Sequence, residues 1–336
     1  MTISVAVLGG AGYIGSHMAK ALSRAGHVVT VFDNLSTGHR DAVRFGPLIE
    51  GDLRDREALE RFFRSASFDA VMHFAACCYV GESVQEPRKY YENNVTGTLN
   101  LLDAMGAAGV RRLVFSSTCA TYGDPQRLPL DEQHPQLPVN PYGMTKLAAE
   151  RAMQDYGNAY GLRSIALRYF NAAGCDQEGE LGERHEPEPH LIPLVLREAL
   201  RVRAGGGPEA TALAVHGTDF GTQDGTCIRD YVHVSDLCEA HLLALRRLLG
   251  DAPPAFEAFN LGNGRGHSVL EVIEACREVT GVDLRYRAGA RRPGDPPVLV
   301  ADARKAHESL GWKPRLPRLQ DIVRTAWDWM RAQAGV

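Results

Sequence analysis

Tyr142 and Lys146 stand four residues apart in Asn140-Pro141-Tyr142-Gly143-Met144-Thr145-Lys146, and that pairing has a chemical use. Proline early in a helix and the i,i+4 spacing put both side chains on one helix face. A free phenol titrates near 10 and is a poor base at pH 7. A lysine cation beside it favours the phenolate, which can then take a proton from an alcohol. Upstream, Phe115-Ser116-Ser117-Thr118-Cys119-Ala120 closes a β-rich run with hydroxyl groups, and Thr118 is placed to hold the reacting alcohol and share the proton path. Isolated Tyr-x-x-x-Lys pairs also arise by chance on helices. Lysine is scarce here, however: only Lys20, Lys89, Lys146, Lys305 and Lys313 among 37 basic residues.

A second motif supplies the electron acceptor such a base requires. Gly9-Gly10-Ala11-Gly12-Tyr13-Ile14-Gly15 follows an apolar strand and opens a helix. Glycine permits the tight turn and the close approach of phosphates, and the helix N–H groups then face a pyrophosphate. Gly15 lets the helix pack on the strand. The next strand ends at Asp33, where a carboxylate can accept from both adenosine ribose hydroxyls. Asn34 follows with no arginine beside it for a 2′-phosphate, so NAD is favoured over NADP. Asp52 and Leu53 fall at the adenine end, and Phe74, Ala75 and Ala76 beside the cofactor crevice. Ordinary strand termini account for these last positions equally well.

These residues need a scaffold, and the periodicity supplies one. Strand-like runs at Ile3–Leu8, Val28–Asp33, Ala70–Ala75, Leu113–Ser116 and Ser164–Tyr169 alternate with helical stretches near 14–25, 55–66, 93–108 and 142–160. Nearly all-apolar strands separated by helices predict βαβ units and a parallel sheet covered on both faces. Further on, 174–189 and 217–230 read as polar loops and 290–297 as a rigid basic loop. Helices are predicted at 190–203, 234–249, 269–280 and 319–331, with a strand at 256–261. The 336 residues suffice for two domains, and the net charge of -4 offers no general attraction to nucleic acid. Seven scattered cysteines without a CxxC pair predict neither disulfides nor a cysteine zinc site, and no metal is assigned. No export segment or membrane span is expected, so the cytoplasm is the expected compartment.

Taken together, GGAGYIGSH (9–17), FDNLSTGH (32–39), VGESVQEP (80–87), YYENNVTGTLNLL (90–102), SSTCATYG (116–123), NPYGMTK (140–146), LRYFNAAG (167–174), HLIPLV (190–195), DGTCIRDYVHVSDL (224–237) and RRPGDPP (291–297) carry a family likeness. The chain resembles the extended short-chain dehydrogenase/reductases, and within them the UDP-glucose 4-epimerases, over nearly its whole length. The resemblance implies a Rossmann-type doubly wound sheet with a smaller, interleaved α/β substrate domain. Residues 1–170, completed by elements near 233–280, would bind NAD, and 171–336 would mainly bind a UDP-sugar. Tyr142 matches the base, Lys146 its electrostatic and ribose-binding partner, and Thr118 the hydroxyl-bearing residue. Asn93, Ser116, Tyr169 and Phe170 match cofactor-lining positions, and Asn171 the holder of the substrate diphosphate. His190, Leu191, Val215, His216, Arg229, Tyr231, Arg292 and Asp295 match the nucleotide-sugar pocket. A homodimer through the helices near 93–108 and 142–160 is also implied.

The implied reaction interconverts UDP-glucose and UDP-galactose with NAD tightly bound and regenerated each turnover. Two positions depart from the family pattern. Cys78 stands where some members place a cofactor-contacting lysine, which predicts slightly looser cofactor contacts without loss of activity. Leu299 stands where relatives carry tyrosine or cysteine, which leaves acceptance of N-acetylated sugars open. Cys119-Ala120 after Thr118 lacks the Asp-Glu pair of a 4,6-dehydratase. Epimerases of UDP-glucuronate or UDP-pentoses, and a non-catalytic NAD-binding sensor, are the other readings.

Overall fold

The computed structural model describes residues 2–207, 211, 213–292 and 295–335. Its strands are β1 (Ser4–Leu8), β2 (Val28–Asp33), β3 (Leu48–Glu50), β4 (Ala70–His73), β5 (Arg112–Thr118), β6 (Arg163–Tyr169), β7 (Asn171–Ala173), β8 (Ala214–His216), β9 (Ile228–His233), β10 (Phe256–Leu261), β11 (Gly266–Ser268), β12 (Arg287–Gly289) and β13 (Val298–Leu299). The helices are α1 (Tyr13–Arg24), α2 (Arg56–Ser65), α3 (Val80–Gln85), α4 (Pro87–Tyr90), α5 (Gly97–Ala107), α6 (Pro141–Tyr160), α7 (Leu191–Arg203), α8 (Val234–Leu249), α9 (Val269–Thr280), α10 (Arg304–Leu310) and α11 (Leu319–Ala334).

Seven strands form one parallel sheet in the order β10-β6-β5-β4-β1-β2-β3. Alternation along each strand explains why both faces are covered. In β1, Val5 and Val7 pack with Met18 and Leu22 of α1 and Leu245 of α8. Ala6 and Leu8 point the other way, to Phe62 of α2, Leu101 of α5 and Met153 of α6. An apolar residue at every position is what a sheet buried on both faces requires. A third core joins α7, α9 and α11 with β8 and β9 through Val195, Ile273, Val215 and Trp327. This is the Rossmann-type sheet with a smaller second unit.

The main expectations shift at several ends. β4 stops at His73, because the N–H groups of Phe74 and Ala75 both turn to the Leu8 carbonyl. β5 runs on to Thr118, held in register opposite Tyr169 of β6. The helix expected from 93 is π-helical over Tyr91–Thr96 before α5 begins, and Asn93 lies in that wider turn. The loop expected through Asp230 ends earlier, since Ile228–His233 form β9 at the centre of the second sheet. Helix α11 continues past Arg331 to Ala334. Within the basic loop, Pro293 and Gly294 lie outside the described residues.

Candidate functional site

The glycine turn is a cradle built without side chains. Gly9 has φ +81°, and a Cβ there would meet the Ala75 nitrogen at 2.4 Å. A Cβ on Gly15 would come within 2.1 Å of the Gly9 carbonyl oxygen. Gly12 caps α1 without any side-chain hydrogen bond, and no acidic residue occupies the first turn. The leading N–H groups of Tyr13 and Ile14 are thus left for an anionic ligand. Tyr13 itself donates its hydroxyl to the Gly174 carbonyl at 2.5 Å, tying the turn to the later loop.

Asp33 steadies this turn. One carboxylate oxygen accepts from the Ala11 N–H at 2.9 Å and the other from the Leu35 N–H at 2.8 Å. Burial pushes its carboxyl above the ordinary value, against the pull of those two donors. Asn34 donates to Asp52 at 2.9 Å, and Arg54 donates to the same carboxylate at 2.7 Å. The Arg54 hydrogen bonds hold Asp52 far below the usual carboxylate range. Leu53 is buried, while Phe74, Ala75 and Ala76 are half-buried along the crevice.

At the ends of β5 and β6 the reactive groups converge. The N-cap Asn140 accepts from the Gly143 N–H at 2.8 Å, starting α6 with Tyr142 in its first turn. Lys146 is buried, donates to the Ser116 carbonyl at 2.9 Å and lies 4.7 Å from the Phe115 ring centre. Burial lowers it to about 8, with Cys78 and Glu150 opposing that fall. Burial likewise pushes the Tyr142 phenol well above 10; Cys78 and Tyr169 add to the rise and the Thr118 hydroxyl opposes it. Ser116 shares a short hydroxyl hydrogen bond with Tyr169. Without a further positive charge, Tyr142 is therefore a protonated phenol.

Several positioning residues escape sequence reasoning. Glu150 is buried one turn beyond Lys146 and accepts from Ser117 at 2.5 Å and from Arg168 at 2.5 and 3.0 Å. Arg168 also donates to the Tyr122 hydroxyl at 2.9 Å, so this network braces the segment after Thr118. Asn94, beside Asn93, bridges the Cys77 backbone and the Thr145 hydroxyl at 2.9 and 3.0 Å. A legible signal existed for Glu150: it continues the Tyr142–Lys146 stripe of α6 into the core.

The second unit supplies the opposite wall. Asn171 of β7 pairs with Tyr231 of β9, and Leu299 of β13 with Arg229. Arg229 is buried and forms an ion pair with Asp295. Arg292, Asp295, Arg291 and Phe220 line an open cleft of about 600 Å³. Gly289 of β12 abuts His216 of β8, bringing Val215 and His216 to the same region. Leu299 packs with Phe170 and Cys119. Leu191 begins α7, but the His190 imidazole turns toward Glu183 and Glu188. Cys78 is exposed.

Residues 5–262 match the family described as "NAD dependent epimerase/dehydratase family". The chain is 51% identical to a UDP-glucose 4-epimerase of Rhizobium leguminosarum bv. trifolii, covering 97% of each. It superposes with a TM-score of 0.91 on the crystal structure of UDP-glucose 4-epimerase from Brucella ovis in complex with NAD, at 49% identity over 97% of this chain and 98% of that one. A UDP-glucose 4-epimerase from Bifidobacterium longum in complex with NAD+ and UDP also gives 0.91, at 35% identity over 98% and 99%.

Proposed function

Since the chain belongs to the NAD dependent epimerase/dehydratase family, we propose that it is a UDP-glucose 4-epimerase, interconverting UDP-glucose and UDP-galactose. NAD is its cofactor. The residues fit it: the cradle excludes any Cβ, and the uncapped start of α1 presents N–H groups to a pyrophosphate. The observation that carries the reading is the convergence of Lys146, Ser116, Thr118 and Tyr142 at the end of β5, beside that cradle.

When bound, NAD would supply the hydride acceptor and donor for the sugar C4. In this reading Tyr142 Oη removes the proton from the 4-hydroxyl and later restores it. Thr118 holds that hydroxyl through Oγ1. Lys146, pinned by the Ser116 carbonyl, keeps a positive charge near the phenol and so favours its ionised form. Glu150 and Arg168 keep the strand end rigid while protons move. Inversion requires the 4-keto sugar to present both faces, which means a firm hold on UDP and a loose one on the hexose. Arg229, Arg292 and Asn171 are proposed to grip the nucleotide, because an arginine fork suits a diphosphate. The apolar Leu299 and Phe170 offer the sugar few polar anchors.

Residues 1–170, with elements between 233 and 280, are assigned to NAD and 171–336 mainly to UDP. A homodimer through α5 and α6 is part of the same proposal, supported by the exposed Leu99 and Met144 on those helices; light scattering measures it. Among the described residues no helix is long and apolar enough to cross a membrane. A cytoplasmic location is proposed on the seven unpaired cysteines. The deciding assay incubates purified, NAD-loaded protein with UDP-galactose and resolves the sugars; absence of UDP-glucose overturns the proposal. UDP-glucuronate, UDP-xylose and UDP-N-acetylglucosamine, run in parallel, define the breadth of the pocket.

A further inference from the structure

We propose that Glu183, His185, Glu188 and His190 form a closed site for one divalent transition-metal ion, which clamps the 174–190 segment over the cofactor turn. Each residue offers one ligand atom, and these atoms lie within 4.8 Å of one another. His190 Nδ1 is 2.6 Å from Glu183 Oε1 and 3.2 Å from Glu188 Oε1. His185 Nδ1 is 3.4 and 3.5 Å from the same two oxygens. A tetrahedral zinc ion with ligands at about 2.1 Å needs edges of about 3.4 Å, so the spacing suits an ion at the centre.

A second observation points to a ligand. Both Nδ1 atoms and Glu183 Oε1 are buried and make no hydrogen bond, despite their mutual approach; Glu188 Oε1, which faces the two imidazoles, accepts from the His190 N–H at 3.0 Å. The two glutamates are each only 8% exposed. Buried polar atoms are rarely left without partners, and here they share a focus. The neighbouring acidic group behaves differently. Asp176, Glu178 and Glu180 surround the Lys20 ammonium at 2.6, 3.1 and 2.6 Å, which already supplies their counter-charge. Arg197 comes no nearer than 3.8 Å to Glu188 and lies at the outer edge of the histidine cluster.

Two imidazoles and two carboxylates, with no thiolate, are borderline nitrogen and oxygen donors that suit zinc and its first-row neighbours. Four protein ligands leave no open position, so the role is structural. Pro187 and Pro189 stiffen the ligand loop. The position gives the clamp its purpose. The His185 ring lies edge-on to Tyr13 and Tyr79, with centroids 6.4 and 6.0 Å away. The adjoining Arg184 carbonyl meets His39 Nε2 at 3.3 Å, and its side chain pairs with Asp41. Sequence reasoning looked for cysteine ligands and so assigned no metal.

Untagged full-length protein, purified without chelator, is expected to carry about one zinc per chain by elemental analysis. After chelation and dialysis, zinc chloride alone should restore a melting temperature raised by roughly 5 °C at saturating metal. Cobalt(II) added to the stripped protein should give the intense visible absorption of a tetrahedral site. His185→Ala and Glu183→Gln should each weaken zinc binding at least tenfold, read by competition with a chromophoric chelator. If either variant fails to fold, the cobalt spectrum of the unaltered chain decides. No saturable zinc site, no change in melting temperature and no tetrahedral cobalt spectrum would overturn the proposal in favour of two imidazolium–carboxylate pairs. None of these readouts depends on epimerase turnover.

Discussion

Replacing Lys146 by methionine keeps the length of the side chain and removes a buried cation from beside the proposed base. Its value of about 8 leaves it cationic at pH 7, so the charge is present where the enzyme would work. Neighbours at i,i+4 on a helix have their Cβ atoms about 6 Å apart, and a charge separation of about that size is taken for the pair. At an effective dielectric of about 20 they attract by roughly 3 kcal/mol. That is about two units on the Tyr142 phenol, or roughly a hundredfold in phenolate at neutral pH. The Lys146→Met protein, matched to the parent for bound NAD per chain, is assayed for UDP-galactose conversion from pH 6 to 10. A fall in kcat of about a hundredfold at pH 7 is expected, with the rising limb displaced upward by about two units. An NAD-loaded variant that keeps kcat within about threefold and an unmoved pH profile would refute the electrostatic role. Stability moves in a stated direction as well. Because the folded-state value lies below the ordinary 10.5, the unfolded chain holds the extra proton between about pH 8 and 10.5. Folding is therefore helped as pH rises through that window, and the variant loses this gain relative to the parent in denaturant titrations.

Gly15→Ala should abolish retention of NAD, since its Cβ would strike the Gly9 carbonyl oxygen at 2.1 Å; nucleotide released on denaturation measures it. Glu150→Ala leaves Arg168 buried beside no counter-charge, with side-chain exposures of 4% and 1% in the intact pair. A loss of about 3–5 kcal/mol in urea unfolding is expected, and a loss below about 1 kcal/mol would contradict the pair's structural role. Asp230 accepts from the N–H groups of Asn263, Gly264 and Ala301, and burial raises it to about 6. Asp230→Asn turns an NH2 group toward backbone donors and should cost about 2 kcal/mol of stability, with the melting temperature as the readout.

The parts of the site that were legible are those whose partners lie close in the chain. The Gly9–Gly15 turn, the start of α1 and the Tyr142–Lys146 stripe each depend on local backbone geometry, which spacing alone records. The sheet was legible because strands buried on both faces are apolar throughout, although β3 is only Leu48–Glu50 and β4 ends early at the shared Leu8 carbonyl. The π-helical turn at 91–96 was not, since its widened register has no residue pattern distinct from that of an α-helix. Asn94 looks like a solvent-facing polar residue until its partners, the Cys77 backbone and the Thr145 hydroxyl, are brought to it.

By itself, the sequence determined a dinucleotide turn, a tyrosine one helical turn from a lysine as the proposed base, and membership in a family of sugar-nucleotide enzymes. Those follow from contacts within one turn or one helix, and from motifs spread along nearly the whole chain. Only the tertiary structure decided that Lys146 rests on the Ser116 carbonyl, 30 residues away in sequence, and that Arg229 faces Asp295, 66 residues away. It also decided that β10 joins the sheet beside β6. The same holds for His190, whose ring lies against the acids at 183 and 188. Such choices are settled by burial and by satisfying polar groups across the fold, and no spacing between neighbours encodes them.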